Sequence, residues 1–142
     1  MEMPQMEYAG FWRRFLPYII DLLIGFGILY LSLELLTTIH NHIFAIGADL
    51  VNSLGFLLAA IFSAILIIFC WTHWGMTLGK FIFRIKIVDK NGNKLTYEKS
   101  FIRLIGYTLS ALLLYLGYLW IAFDKKKQGL HDKLAESFVV KQ

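Results

Sequence analysis

The chain has 142 residues, of which 58% are hydrophobic, with a net charge of +4 and a mean hydropathy of +0.60. Soluble domains are less apolar, so the composition excludes an ordinary soluble domain and is typical of a membrane protein. The basic residues flank apolar runs, which indicates contact with anionic lipid headgroups rather than with nucleic acid. Cys70 is the only cysteine, which excludes an intrachain disulfide.

The first apolar run, about residues 11–36, predicts a helix long enough to cross a bilayer, which takes about 20 residues. Arg14 and Asp21 are seven residues apart and therefore share one helix face, two turns apart. Other polar or small residues fall near the same stripe: Tyr18, Gly25 and Ser32. The stripe predicts that Asp21 faces protein or water and not lipid.

Candidate partners for Asp21 lie on the predicted third helix, where Arg103, Tyr107 and Ser110 share a face. A carboxylate at that depth has two interpretations. It is either a structural clamp between helices or a transport site, because burial can raise its pKa into a working range. The sequence leaves both open.

The second apolar run, about residues 54–74, predicts a second long helix. The connection before it contains no Lys or Arg, whereas the connection after it, residues 75–100, contains six, from Lys80 to Lys99. Basic loops stay in the cytoplasm. We therefore expect residues 37–50 outside the cell, with the N-terminus and residues 75–100 in the cytoplasm.

The connection 75–100 carries one false motif and one predicted element. "GMTLGK" at 75–80 is not a phosphate loop, because three residues separate its glycines and Phe81 replaces the Ser or Thr that would reach magnesium. "FRIKIVDKNGNKLTY" at 83–97 alternates in polarity and turns at Asn91-Gly92, which predicts a small β-hairpin.

The third apolar run, about residues 101–123, precedes a tail, 124–142, that carries five lysines. Three plain spans would export those lysines, against the positive-inside pattern. Either the third helix is broken or re-entrant, with Gly117 as the break, or the tail is exported despite its charge. Pairing of "RIKIV" (84–88) with "SFVVK" (137–141) would favour the first alternative and would bring Asp124 and Asp132 to the membrane face of Arg14.

The sequence therefore predicts one domain, residues 1–142, in an all-α integral membrane protein. We expect three long transmembrane-type helices, the third either continuous or broken and re-entrant, and a small cytoplasmic β-hairpin.

Three parts of the chain resemble the RDD family, bacterial membrane proteins named for one arginine and two aspartates. They are "AGFWRRFLPYIIDLLI" at 9–24, "GMTLGKFIFRIKIVDKNGNKLT" at 75–96, and "RLIGY" at 103–107 with "LGYLWIAFDKKKQGLHDKLAESFVV" at 116–140. The resemblance implies that Arg14 is the arginine, Asp21 the first aspartate, and either Asp124 or Asp132 the second. Pro17 stands where a small residue is more usual, and it predicts a kink.

The resemblance implies transport of unidentified ligands, since some members are similar to sodium/proton exchangers. We expect transport or exchange of an ion or small solute across the cell membrane by a homo-oligomer, because three helices do not easily enclose a path. The alternative is a non-transporting scaffold or accessory subunit whose basic cytoplasmic face binds a partner or anionic lipid. We expect no enzyme activity, cofactor or metal site. The transport or polar-network candidates are Arg14, Asp21, Arg103, Asp124 and Asp132.

Overall fold

The computed structural model describes residues 7–43 and 48–142, with no side chains given for 40–52. The described helices are α1 (Phe11–Ile43), α2 (Ala48–His73), α3 (Leu78–Ile82), α4 (Tyr97–Leu112), α5 (Leu116–Leu119) and α6 (Leu130–Leu134). A 3-10 turn, Trp120–Ala122, follows α5, and the strands are β1 (Ile85–Asp89) and β2 (Ser137–Lys141). The predicted outer loop, 37–50, falls partly within α1 and α2 and partly outside the described residues.

Helices α1 and α2 form the apolar body of the molecule and pack against each other. Two stretches of it are long and apolar enough to cross a membrane, Phe11–Ile39 and Ser53–Ile82. Both helices extend beyond the apolar runs that predicted them, to Ile43 and from Ala48. Large apolar side chains cover their outer surfaces, and such a surface suits a lipid environment.

The third apolar run is broken, as one of the two alternatives predicted. Its two parts, α4 and the stretch from α5 through the 3-10 turn, differ in direction by 112°. The predicted position of the break was wrong, because Leu114 and Tyr115 make the turn, with φ angles of 51° and 61°. Gly117 lies inside α5, where a Cβ atom would stand 2.6 Å from Ser110 Oγ. This glycine permits close packing and does not break the helix.

Strands β1 and β2 form an antiparallel pair in which Ile87 lies opposite Val139. The predicted pairing of residues 84–88 with 137–141 is therefore confirmed. The N-terminal segment lies along the other edge of β2, where the Ala9 N–H donates to the Val139 carbonyl at 2.9 Å and Tyr8 pairs with Val140. The two ends of the chain thus meet the middle of it in one small sheet.

The predicted β-hairpin within residues 83–97 was wrong. The turn itself forms, with Gly92 at a φ of 82°, and Asp89 Oδ1 accepts hydrogen bonds from the N–H groups of Asn91 and Asn93. The segment after the turn does not return to β1, because Thr96 begins α4 and its hydroxyl accepts from the Lys99 N–H. Helix capping takes the residues that the second strand of a hairpin would need.

Residues 7–10, 75–96 and 124–142 form one body, which we call the terminal module. Its core combines buried residues from the N-terminal segment, α2, both strands and the connection before α4: Ala9, Trp71, Ile85, Ile87, Leu95 and Val139. Helix α6 brings this module against α4 so closely that a Cβ atom on Gly106 would lie 2.5 Å from the His131 Cα. The polar residues of interest lie where the module meets α1 and α4.

Candidate functional site

Asp132 lies at the centre of a buried polar cluster. It is the third residue of α6, and its Oδ2 accepts a hydrogen bond from the Gly129 N–H at 3.0 Å. An acidic side chain in the first turn satisfies backbone donors there and suits the positive end of the helix dipole. The side chain is 0% exposed. A buried carboxylate needs charged partners, and two arginines supply them.

Arg14 from α1 and Arg103 from α4 approach Asp132 from two sides. Arg14 Nη1 lies 2.6 Å from Oδ2, and Arg103 Nη2 lies 2.6 Å from Oδ1. The first contact is an aligned hydrogen bond, whereas the second is an ion pair outside good hydrogen-bond angles. We call these three residues the arginine–aspartate clamp. The clamp joins elements that are far apart in the sequence.

Three further guanidinium donors tie the clamp to the terminal module. Arg14 Nε donates to the Ala9 carbonyl at 2.8 Å, and its Nη2 donates to the Val139 carbonyl at 3.3 Å. Arg103 Nη1 donates to Ser137 Oγ at 2.5 Å. The Arg103 guanidinium also stands over the Trp71 ring, 5.4 Å from its centroid, which is cation–π geometry.

The electrostatics of the cluster fix the charge of Asp132. Burial alone would raise the pKa of this carboxyl, but the charges of Arg103 and Arg14 hold it well below its usual range. His131 behaves differently, because burial lowers the pKa of its imidazole to about 3 despite the adjacent carboxylate. The His131 ring stacks on Tyr107 with centroids 3.8 Å apart. At neutral pH the cluster therefore holds a charged Asp132 and a neutral His131.

Acidification should destabilise the protein through His131. Its pKa is 6.5 in the unfolded chain and about 3 in the folded protein, so below pH 6.5 the unfolded state binds a proton that the folded state does not. The neutral His131 therefore contributes its full share to the free energy of unfolding above pH 6.5. That contribution falls as the pH drops, by about 1.4 kcal/mol between about pH 7.5 and about pH 5.5. SDS titration in mixed micelles measures this loss. The loss of unfolding free energy on acidification should be about 1.4 kcal/mol smaller in His131→Gln than in the wild-type protein, and it should be unchanged in His73→Gln. An unchanged loss in His131→Gln would show that His131 is not the group that causes it.

Asp21 belongs to a separate polar site, between α1 and the start of α3. Its Oδ1 accepts from the Gly79 N–H at 2.8 Å, and its Oδ2 accepts from Thr77 Oγ1 at 2.5 Å. Lys80 Nζ lies 3.5 Å from Oδ2. Asp21 was predicted to face protein or water, and its hydrogen bonds show that it faces protein. The carboxylate acts as the cap that the first turn of α3 lacks from its own side chains.

The predicted partners of Asp21, namely Arg103, Tyr107 and Ser110, were wrong. Arg103 instead pairs with Asp132, and the Tyr107 ring stacks on His131 and Tyr18. The predicted polar stripe on α1 is also shorter than expected. Gly25 and Ser32 are exposed, and the Ser32 hydroxyl donates to the carbonyl of its own helix at Leu29. The protein-facing part of the stripe ends near Asp21.

Asp124 is not part of the clamp. Its Oδ1 pairs with Lys133 Nζ at 2.7 Å, and its Oδ2 accepts from the N–H groups of Lys126 and Gln128. The hydrogen bond from Lys133 lowers the pKa of this carboxyl against a small effect of burial. Asp124 thus shapes the turn between the 3-10 turn and α6. Of the two tail aspartates, Asp132 is the one that meets Arg14.

Several residues of these sites were not predicted from the sequence: Trp71, Thr77, Lys80, His131 and Ser137. Lys80 gave the clearest signal, because it stands alone among apolar residues in "LGKFIF" and is only 6% exposed. His131 is adjacent to Asp132, and a polar pair in a helix that follows a glycine is a usable signal. Within the described ranges 7–43 and 48–142, no group of three or more His, Cys, Asp or Glu residues could hold a metal ion.

The structure has two long apolar helices, which are typical of a membrane protein. The terminal module is held to α1 and α4 by the buried charges of the arginine–aspartate clamp. The chain belongs to the RDD family, whose family model matches residues 8–136. It is 32% identical to "Uncharacterized protein YxaI" of Bacillus subtilis, covering 93% of this chain and 96% of that protein. It is 30% identical to "Uncharacterized membrane protein YteJ" of the same organism, covering 94% and 80%. No solved structure matches the chain.

Proposed function

We propose that the protein is a multi-pass membrane scaffold or accessory subunit, and not a transporter or an enzyme. The observation that carries this proposal is the pairing of Asp132. One carboxylate oxygen meets Arg14 and the Gly129 N–H, the other meets Arg103, and the residue is fully buried. A buried pair of this kind holds elements in place and leaves no coordination position open for a cargo ion.

The charge of Asp132 also argues against proton exchange at this residue. A proton carrier has to bind and release its proton near the working pH. The two arginines hold the pKa of Asp132 well below its usual range, so the carboxylate stays charged at neutral pH. His131, with a pKa of about 3, stays neutral over the same range. Neither group changes its charge under physiological conditions.

The surface that a partner or anionic lipid would contact is the basic face of the terminal module. Its exposed cations include Arg84, Lys90, Lys125 and Lys126. Asp124 and Lys133 pair with each other, so they add little net charge to this face. Clusters of Lys and Arg next to a membrane attract anionic headgroups by about 1 kcal/mol per residue. The cytoplasmic placement of this face follows from the positive-inside pattern and is part of the proposal.

Transport or exchange of an ion or small solute by a homo-oligomer is the second candidate, and Asp21 is the residue that favours it. Its side chain is 22% exposed and lies beside Thr77 and Lys80 at the border of the apolar body. A partly exposed carboxylate there could meet a cation if a second copy completed a path. Because the described residues of one chain offer two or three membrane helices, this function requires the oligomer.

Ion flux into proteoliposomes tests the proposal directly. We expect sodium and proton flux no higher with the wild-type protein than with empty liposomes, and no change in Asp21→Asn. The matched control is Glu34→Gln, which removes an exposed carboxylate from the same helix. Flux that depends on Asp21 and not on Glu34 would overturn the scaffold proposal and establish the transport candidate.

A further inference from the structure

We infer that α4 and the return arm after it, Leu116–Ala122, form a re-entrant hairpin that enters only one leaflet of the membrane. The chain would then cross the bilayer twice, through the apolar parts of α1 and α2. The inference goes beyond the proposed function, because it concerns how the third apolar run meets lipid. The occupant of the exposed apolar surface is the acyl-chain layer of the leaflet next to the terminal module.

The length of the return arm limits how deep the hairpin can reach. Its four α-helical and three 3-10 residues span about 12 Å. One leaflet contributes about 15 Å of hydrocarbon, and a full crossing takes about 30 Å. The arm is too short to return from the far side, so the turn at Leu114 and Tyr115 lies within the near leaflet.

The bend between α4 and the return arm agrees with a turn that lies within the near leaflet. Helix α4 has 16 residues and is about 24 Å long, so it reaches a depth of about 12 Å if it slopes about 30° to the membrane plane. A change of direction by 112° then points the return arm almost along the membrane normal. The arm would use its whole length to come back to the surface.

The two faces of α4 have the character of a helix lying obliquely in the interface. Its inward face carries buried residues that pack on the terminal module: Ser100, Arg103, Gly106 and Ser110. The opposite face is apolar and exposed, with Phe101 at 55%, Ile105 at 43% and Leu112 at 75%. An amphipathic helix of this kind lies in the membrane interface with its apolar face in the acyl chains.

The turn at Leu114 and Tyr115 has two features that suit an environment without water. Its side chains are strongly apolar, and Leu114 is 83% exposed. Backbone N–H groups through the turn find carbonyl partners nearby, from Leu113 to Leu109, from Leu114 to Ala111 and from Tyr115 to Ser110 at 2.7 Å. Because hydrocarbon contains no water, each backbone polar group there needs a hydrogen-bond partner within the protein. A water-exposed turn would need neither feature.

The end of the return arm carries the signs of the lipid–water boundary. Trp120 is 56% exposed, and Lys133 Nζ lies 5.5 Å from the centroid of its ring. Lys127 Nζ donates to the Ala122 carbonyl at 3.1 Å. Tryptophan and lysine together are typical of the headgroup region. Both ends of the hairpin are also fixed to one body, because β1 precedes it, β2 follows it and the two strands pair.

Depth-dependent fluorescence quenching tests the hairpin in proteoliposomes. In a Cys70→Ser background, single cysteines at Leu114 and Phe26 are labelled with bimane and exposed to lipids that carry a spin label either near the headgroup or near the chain end. We expect maximal quenching by the deep label both at Leu114, at a depth of about 12 Å in a leaflet of about 15 Å, and at Phe26, near the middle of the α1 span. Leu116→Cys repeats the test if Leu114→Cys does not fold.

Side-specific labelling gives an independent result. Cysteines replacing Asn91 and Lys126 should react with an impermeant maleimide from the same side of the membrane. Reaction from opposite sides, or a Leu114 probe quenched best by the shallow label, would overturn the inference. A Leu114 probe that no lipid quenches would also overturn it, because protein or a second copy would then cover the turn. These outcomes concern lipid contact alone, so they are separable from the flux result.

Discussion

Asp132→Asn is expected to lower the free energy of unfolding by about 3–5 kcal/mol, the usual cost of breaking a buried ion pair from one side. The substitution keeps the shape of the side chain and removes only its charge. Arg14 is 4% exposed and Arg103 is 0% exposed, so their charges cannot turn to water when the carboxylate is lost. Two uncompensated buried cations would remain. SDS titration in mixed micelles, followed by tryptophan fluorescence, measures the loss.

Asp124→Asn is the matched control for this substitution. Asp124 is an aspartate of the same tail, and it pairs with Lys133, whose side chain is 44% exposed. An asparagine oxygen can still accept from the N–H groups of Lys126 and Gln128. Because exposed ion pairs contribute about 0–1 kcal/mol, the control should lose no more than that. An equal loss in both variants would show that the arginine–aspartate clamp does not stabilise the fold.

The sequence predicted those parts of the fold that depend on local composition and on charge. The lengths of the apolar runs predicted α1 and α2, since a continuous run of about 20 apolar residues has few other uses. The conflict between five tail lysines and a third span led to the broken third run and to the pairing of 84–88 with 137–141. The distribution of charge along the chain therefore indicated a tertiary contact that hydropathy alone did not indicate.

The β-hairpin was predicted wrongly because two local signals overlap. Asn91-Gly92 is a strong turn signal, and the turn forms. Thr96, four residues after Gly92, is also a helix cap, with Glu98 in the first turn of α4. The helix that follows buries Ser100 and Arg103 against the terminal module, and a returning strand would have forfeited that burial. Tertiary packing decided between the two signals, and no short window of sequence contains that information.

The partners of the charged residues were the least predictable part of the site. Helical spacing showed which residues share a face of one helix, and it placed Arg14 and Asp21 correctly on the protein side of α1. It could not show which distant segment meets them. Asp21 meets Thr77, 56 positions away, and Arg14 meets Asp132, 118 positions away. "GMTLGK" was rejected as a phosphate loop, and its Gly79 N–H is instead the donor of a hydrogen bond to Asp21.

Gly106→Ala is expected to lower the free energy of unfolding by about 2 kcal/mol, the usual scale for overpacking. A Cβ atom at this position would lie 2.5 Å from the His131 Cα and 2.9 Å from its Cβ. The first of these is a backbone atom, so α6 has to move away from α4. Asp132 is the next residue along α6, and that movement would stretch its contacts with Arg14 and Arg103. Alanine gains up to about 1 kcal/mol in helix propensity, which offsets only part of the strain.

Gly25→Ala is the matched control for this last prediction, because Gly25 is also a helical glycine. Apart from its chain neighbours and the backbone of its own helix, no described atom lies within 4 Å of the position that an alanine Cβ would take there. It should leave stability unchanged or raise it by up to about 1 kcal/mol. The same SDS titration compares the two variants with the wild-type protein. In Gly106→Ala, the shift should be accompanied by altered tryptophan fluorescence, because Arg103 stands over the Trp71 ring and its contact with Asp132 is stretched when α6 moves. Equal stabilities of Gly106→Ala and Gly25→Ala would mean that α4 and α6 are not held at the distance described.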